Sequence, residues 1–320
     1  MANDSDRFDT VTVFGGATFD RIARTNFAPV MGASNPGSVL RRPGGVAFNV
    51  ASVLARLGVA TRLVARVGAD SDGEAIIAAA RQTGIDPTAL GVSPSAPTAG
   101  YHATFDDTGN LVIGVADMKI CDEITPALLG ALAIARRERD FWVVDANLPP
   151  ETIEFLAGEA NAAGRPIAAM TVSPAKALRL LPVLDRLTYL FANRREAAAL
   201  LGHHPEDRVG VSDLAAELSG PRATMIVVTN GAEPLAAATR SEVRSFAPLR
   251  AAVVGVNGAG DSLAAGTIFG LAEAMTVNDS VRFGLAAAAL ALENGGIMAA
   301  PFSKDALAER MGGGPRPAAV

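Results

Sequence analysis

Val256-Asn257-Gly258-Ala259-Gly260-Asp261, followed at once by Ser262-Leu263-Ala264-Ala265-Gly266, reads as a glycine-rich turn opening a small, apolar helix. Such a turn collects backbone N–H groups that no intrahelical carbonyl satisfies, and those groups can hold a phosphate. Asp261 then sets a carboxylate beside an anion site, where it is electrostatically unwelcome unless it does chemistry. The economical task for it is to take a proton from a hydroxyl as that hydroxyl attacks phosphorus. The segment points to phosphoryl transfer.

Outward from this turn, short β-rich runs alternate with alanine-rich helical stretches, as in a mostly parallel sheet covered by helices on both faces. Val11 to Phe14 reads as a first strand ended by Gly15-Gly16, Val46 to Leu57 as a helix stopped by Gly58, and Thr61 to Val67 as the next strand. Gly73 to Thr83 is a predicted helix. Phe141 to Asp145, Ile167 to Val172, Tyr189 to Ala192 and Met225 to Thr229 read as further buried strands. Two helices, Asp261 to Ala274 and Val281 to Asn294, close the pattern before Gly295-Gly296.

Two regions break the alternation. Ala23 to Arg42 is too long and polar for a tight connection. Tyr101 to Val115 alternates like a hairpin turning at Asp106-Asp107-Thr108-Gly109. Either they form a small extra sheet over one edge of the main domain, or they are a surface loop and an ordinary hairpin. The Gly/Pro/Ala-rich tail beyond Met311 is expected to be disordered.

Composition narrows the field. With 49% apolar and 19% charged residues the chain is an ordinary globular protein, and 320 residues are enough for a sizeable core. A net charge of −5 without a dense Lys/Arg patch argues against nonspecific nucleic-acid binding. One cysteine, Cys121, excludes an internal disulfide and fits a reducing cytoplasm. Met1 to Thr10 is polar and acidic, unlike a signal peptide, and the apolar pattern around Leu285 to Leu292 is too short to span a bilayer. The expected location is cytoplasmic, with no membrane partner. His203-His204 in a Gly-His-His-Pro loop reads as surface rather than metal ligation, no Gly-x-Ser-x-Gly elbow is present, and no Gly-Lys-Ser/Thr ends a P-loop.

Other candidates are weaker one by one. Gly44-Gly45-Val46-Ala47-Phe48-Asn49 places two glycines before a helix, either a plain turn or a close approach to a ligand that Asn49 could meet with a donor and an acceptor. Asp20 could bind two sugar hydroxyls or simply be solvated. Asn193-Arg194-Arg195-Glu196 fits a capping box; the alternative is that Glu196 orients hydrated Mg²⁺ while Asn193 faces a nucleotide.

Together these motifs resemble the ribokinase-like (pfkB) family of sugar and nucleoside kinases. The paired glycines with Asn49, Arg56-Leu57-Gly58, the Asn193 and Glu196 pair, and Gly258-Ala259-Gly260-Asp261 occur in the family's order, from Val11 to about Gly296. The resemblance implies one three-layer αβα domain over residues 1–320 with a small β lid at about 23–42 and 97–118. Ser34-Asn35-Pro36-Gly37, Pro43-Gly44-Gly45-Val46, Asp117 to Pro126, Asp145-Ala146-Asn147 and Val256 are similar to the family's pseudouridine kinases. That implies a C–C-linked nucleoside phosphorylated by ATP on its ribose 5′-hydroxyl.

Carried onto this sequence, the resemblance makes Asp261 the general base and the turn Gly258, Ala259, Gly260 an anion hole. Asp20, Gly44, Gly45 and Asn49 would hold ribose, with Asn35, Thr98 and Tyr101 reading the base. Asn193, Thr229, Gly231 and Asn294 would line ATP, and Glu196 would serve Mg²⁺. A monovalent cation such as K⁺ and a homodimer formed through the lid are further candidates. Three departures fall on the nucleotide side: Met170-Thr171, Phe191-Ala192-Asn193, and Gly231-Ala232-Glu233-Pro234, where Pro234 removes an N–H. The alternatives are a related kinase for another nucleoside or sugar, or a nucleoside-binding protein with little or no transfer.

Overall fold

The structure, a computed structural model, describes residues 8–132, 139–204, 206–220 and 223–312. The tail expected to be disordered lies outside these residues, except for Gly312. The described strands are β1 (Thr10–Phe14), β2 (Thr18–Thr25), β3 (Gly37–Gly44), β4 (Ala60–Gly68), β5 (Leu90–Ser93), β6 (Ala99–Phe105) and β7 (Leu111–Asp117). They continue with β8 (Asp140–Asp145), β9 (Ile167–Met170), β10 (Tyr189–Asn193), β11 (Met225–Asn230), β12 (Glu233–Ala238) and β13 (Val243–Phe246). The helices are α1 (Val46–Arg56), α2 (Ser71–Thr83), α3 (Pro126–Ala131), α4 (Pro150–Ala162) and α5 (Pro174–Ala177). After them come α6 (Arg194–Leu200), α7 (Val211–Glu217), α8 (Ala259–Ala272), α9 (Val277–Glu293) and α10 (Lys304–Gly312).

Nine strands form the main sheet in the order β13-β12-β11-β10-β9-β8-β1-β4-β5. From β5 to β11 the pairs are parallel; β11-β12-β13 run antiparallel. The central strands are buried on both faces, which is why they read as continuous apolar runs. Along β1, Val11 and Val13 join a core with Phe48, Leu54, Ile268 and Leu290, while Phe14 joins Val144, Ile153 and Leu156 on the other face. Each such fully buried side chain contributes about 1.5–3 kcal/mol. Two cores separated by one sheet make the three-layer αβα architecture.

Helix α8 has no polar face; every residue from Ser262 to Ala272 is buried. Its glycines bring α9 into close contact. A Cβ on Gly266 would lie 2.8 Å from the Phe283 carbonyl oxygen, and one on Gly270 would lie 2.6 Å from Cα of Ser280. From the other side, a Cβ on Gly284 would lie 2.5 Å from the Leu263 carbonyl oxygen.

The second sheet, β3-β2-β6-β7, realises the predicted lid. Strands β2 and β6 are parallel and the outer pairs antiparallel. Two features differ from expectation. The lid starts at Thr18, because β2 begins only three residues after β1 and Phe19 is already buried beneath the guanidinium groups of Arg21 and Arg41. The hairpin β12–β13 was not anticipated. Gly231, at φ +63°, turns into it, and Pro234 sits at its start, outside the paired positions, where no ladder donor is needed.

Candidate active site

Asp261 lies in the first turn of α8, where two cavities meet. The larger, of about 400 Å³, lies under the lid and is lined by Asp20, Asn49, Tyr101, Lys176 and Asn257 among others. The smaller, of about 200 Å³, lies over the ends of β9 and β10 and is lined by Thr171, Asn193, Glu196, Thr229 and Gly260. Val46, Val172 and Asp261 line both. Val172 has φ +68°, a backbone region that β-branched residues seldom occupy and that costs on the order of 1–3 kcal/mol.

The turn is built as its sequence suggests. Gly258 is the N-cap of α8 at φ +79°, and a Cβ there would fall 2.7 Å from Cδ1 of Ile297, so only glycine fits. No side chain caps the helix, which leaves its first N–H groups free for an anion. Asn49 Nδ2 donates to Asp261 Oδ2 at 2.7 Å; Oδ1 accepts from no described residue. Burial pushes the Asp261 carboxyl up to about 7, against the pull of the Asn49 hydrogen bond and with help from the Asp145, Asp20 and Glu196 carboxylates. A carboxylate held by one oxygen, free at the other and poised near neutrality can take a proton.

The lid wall of the larger cavity is one transverse row. Register places Arg42, Asp20, Tyr101 and Ala116 opposite one another on β3, β2, β6 and β7, and all four line the cavity. Asp20 Oδ1 accepts from Thr18 Oγ1 at 2.6 Å. Burial raises its carboxyl, opposed by the Thr18 bond and the Arg42 charge. Gly44 leaves space for that carboxylate, since a Cβ there would lie 2.3 Å from Asp20 Oδ2 and displace it. Gly45, at φ +95°, lets the chain pass close to the Gly16 carbonyl oxygen.

Below the row, fully buried Asp145 holds the floor. Its Oδ2 accepts from the N–H of Gly16 and of Ala47, and its Oδ1 from the N–H of Asn147. Arg179 Nη1 donates to the Asn147 carbonyl oxygen at 2.9 Å and fixes that turn. Asn147 Oδ1 accepts from Lys176 Nζ, and burial holds the Lys176 ammonium below its ordinary range.

On the smaller cavity, Asn193 and Glu196 form the capping box of the first reading. The capping box is present: the Asn193 side chain accepts from the N–H of Arg195 and Glu196, and Glu196 Oε2 accepts from the Asn193 N–H at 2.8 Å. Glu196 Oε2 also accepts from Thr171 Oγ1, while Oε1 accepts from no described residue. Among the described residues no group of three or more His, Cys, Asp or Glu side chains is arranged to hold a metal. The Glu196 and Asp261 carboxylates that line this cavity would fit Mg²⁺ carried by phosphates and water rather than by a protein cage.

Six expected site residues do not line either cavity: Gly44 and Ala259, each flanked by residues that do, and Asn35, Thr98, Gly231 and Asn294, which are engaged elsewhere. Asn35 spends its amide within its own loop, on Val30 and Ala33. Thr98 bonds Asp70 and the Gly68 N–H, tying β6 to the N-cap of α2. Asn294 caps α9 through the Leu290 carbonyl, and Gly231 makes the β11–β12 turn. Conversely, sequence reading missed Arg42, Lys176 and Val172 as site residues. Strand register is the signal for Arg42, and for Lys176 it is the N-cap Ser173 that starts α5 at the cavity wall.

Comparison with known proteins agrees with this geometry. The model of the pfkB family carbohydrate kinases matches residues 9–304. The pseudouridine kinase of Escherichia coli (strain K12) is 28% identical over 285 residues, 89% of this chain and 90% of that protein. A carbohydrate kinase structure from Agrobacterium tumefaciens superposes with a TM-score of 0.80 at 36% identity, over 95% of this chain and 97% of that one. Arabidopsis thaliana ribokinase complexed with ribose and ATP shares the fold, with a TM-score of 0.79 at 21% identity over 95% of this chain and 99% of that one. A base-like aspartate at an open helix N-terminus between two cavities, and a family match over nearly the whole length, lead to one conclusion: the chain belongs to the pfkB family of carbohydrate kinases and is a sugar or nucleoside kinase.

Proposed function

We propose that the protein transfers the γ-phosphoryl group of ATP to the ribose 5′-hydroxyl of pseudouridine, giving pseudouridine 5′-phosphate and ADP. The observation that carries this reading is the place of Asp261, on the wall shared by a nucleoside-sized cavity and a phosphate-sized one. At about 400 Å³ the larger cavity falls within the range of about 300–1,000 Å³ usual for small-molecule sites, roomier than a pentose alone requires.

In this reading Asp20, Gly45 and Asn49 hold the ribose. Tyr101, Asn147 and Lys176 face the base with an aromatic ring, an amide and an ammonium, suited to a ring that bears both acceptors and N–H donors. Asp261 takes the hydroxyl proton as the oxygen bonds to phosphorus and the bond to the ADP oxygen breaks. The N–H groups of Ala259, Gly260 and Asp261, with the α8 dipole, stabilise charge on the transferring group. Thr229 lies along the phosphates, with Asn193 toward the nucleoside of ATP. Glu196 would help to hold hydrated Mg²⁺, which would neutralise phosphate charge. The lid excludes water.

Supporting a cytoplasmic location are the buried free thiol of Cys121 and the lack, among the described residues, of a helix long and apolar enough to cross a membrane. Exposed Val39, Leu40, Ile113 and Val115 on the lid strands support pairing of two lids in a homodimer.

An acceptor panel of pseudouridine, uridine, adenosine, ribose and fructose, read by ADP release, tests the assignment. Preferred turnover of pseudouridine is expected; robust turnover of ribose or adenosine with none on pseudouridine would overturn it. A second reading, a kinase for another nucleoside or a free sugar, draws on the positions of Asn35 and Thr98, both committed away from the cavity.

A further inference from the structure

Arg42 does more than line the cavity. It stands directly opposite Asp20 across the β2–β3 pair, and its charge acts on the Asp20 carboxylate. From the lid it reaches the body of the protein, where Nη1 donates to the Gly295 carbonyl oxygen at 3.1 Å. The landing site is shaped for it: a Cβ on Gly296, at φ +133°, would lie 2.4 Å from Arg42 Nη1.

The loop that Arg42 grips backs the anion turn. Gly255 packs tightly there, since a Cβ would lie 3.2 Å from Cα of Gly295. Two residues along the loop, Ile297 packs against Gly258, the N-cap of α8, and Arg56 Nη1 holds the Ile297 carbonyl oxygen at 2.7 Å. One guanidinium thus stands across the strand pair from the carboxylate that faces the acceptor and binds the loop that backs the phosphoryl-binding turn. An arginine suits this task because its guanidinium is always charged and can bond the Gly295 carbonyl oxygen while its charge stays near Asp20.

We propose that Arg42 is a positioning residue for phosphoryl transfer, orienting Asp20 toward the acceptor and fastening the lid to the Gly295–Ile297 loop. The proposal rests on the larger cavity being the acceptor site, but not on the acceptor being pseudouridine. Whichever sugar or nucleoside the wild-type enzyme turns over serves as the probe.

The test is steady-state kinetics of Arg42→Ala and Arg42→Lys, with acceptor and ATP varied separately and acceptor-free ATP hydrolysis followed alongside. In Arg42→Ala the acceptor KM should rise on the order of tenfold to a hundredfold, the effect of losing charge-assisted hydrogen bonds. The KM for ATP should stay within about threefold, while ATP hydrolysis without acceptor should increase relative to transfer. Millimolar guanidinium should restore part of the lost kcat/KM. Because Arg42 acts through Asp20, the double variant Asp20→Asn with Arg42→Ala should have an acceptor KM no worse than Asp20→Asn alone. Should Arg42→Ala fail to fold, Arg42→Lys must show the same KM split, since the shorter lysine side chain does not reproduce the guanidinium bond to Gly295. The proposal is overturned by an acceptor KM within about twofold of wild type in the folded variants, by equal rises in both KM values, or by losses that multiply in the double variant.

Discussion

The two cavities that share Asp261 are furnished in opposite ways. The larger, the proposed acceptor side, is built from side chains: Asp20, Arg42 and Tyr101 project from one row of the lid, and Lys176 comes from the body. The smaller, the proposed donor side, is built from secondary structure: the open start of α8, the capping box of α6, and the strand ends at Phe191, Ala192 and Thr229. A phosphate chain is repetitive and strongly charged, so backbone N–H groups and a helix dipole suffice to hold it. A neutral hydroxylated acceptor must be recognised by shape and by individual hydrogen bonds, which only placed side chains supply. Variants that act on one side should therefore leave the other nearly untouched.

The largest effect should come from the residue that belongs to both. Asp261→Asn keeps the size and the Asn49 contact but cannot take a proton. The expected loss in kcat is on the order of a hundredfold to ten-thousandfold with both KM values little changed. Near-normal turnover would mean that the proton leaves elsewhere. On the acceptor side, Asp20→Asn should raise the acceptor KM on the order of tenfold to a hundredfold without moving the KM for ATP. A parallel change in both would dissolve the distinction between the halves.

Glu196→Gln sharpens the donor side. Glutamine also serves at the last position of a capping box, so the melting temperature should hold, whereas the Mg²⁺ concentration for half-maximal rate should rise roughly tenfold. If stability falls and the Mg²⁺ requirement does not, Glu196 is a cap alone.

The smallest effect is one of pH. With the Asp261 carboxyl pushed up to about 7, kcat/KM should rise with pH and level off above that value. Its folded-state pKa exceeds the ordinary value of 3.8, so stability from this group is complete below about pH 4 and is lost as pH rises through about 7. Asp261→Asn should accordingly match wild type near pH 4 and exceed it at pH 8 by roughly 1–3 kcal/mol, measured by denaturant unfolding. Equal stabilities at pH 8 would place the carboxyl in a wetter setting than the structure gives it.

What the sequence made legible follows the same divide. Strands such as β1 and β8 were readable because both faces are buried, and the α8 turn because glycine spacing is a local signal. Helix α8 begins at Ala259 rather than Asp261, and α9 at Val277 rather than Val281, since Gly258 and Thr276 start the helices. The acceptor row was not readable. Asp20 and Arg42 face each other only because of the β2–β3 register, and nothing in their one-dimensional spacing announces it. Asn35 shows the converse limit: its position in a promising motif did not reveal that its amide closes its own loop. At Asn193 and Glu196 the two competing readings are compatible, because a carboxylate has two oxygens and the cap uses one.

The glycines of the α8–α9 contact carry a last consequence. With backbones this close, α8 can neither slide nor tilt without collision, so the chemical end of the site tolerates almost no variation. The lid, by contrast, is a four-stranded appendage whose row residues can be exchanged without disturbing that contact. A descendant of this protein could acquire a new acceptor through a few lid substitutions while inheriting the phosphoryl-transfer machinery intact, a route to new substrates that keeps the reaction constant.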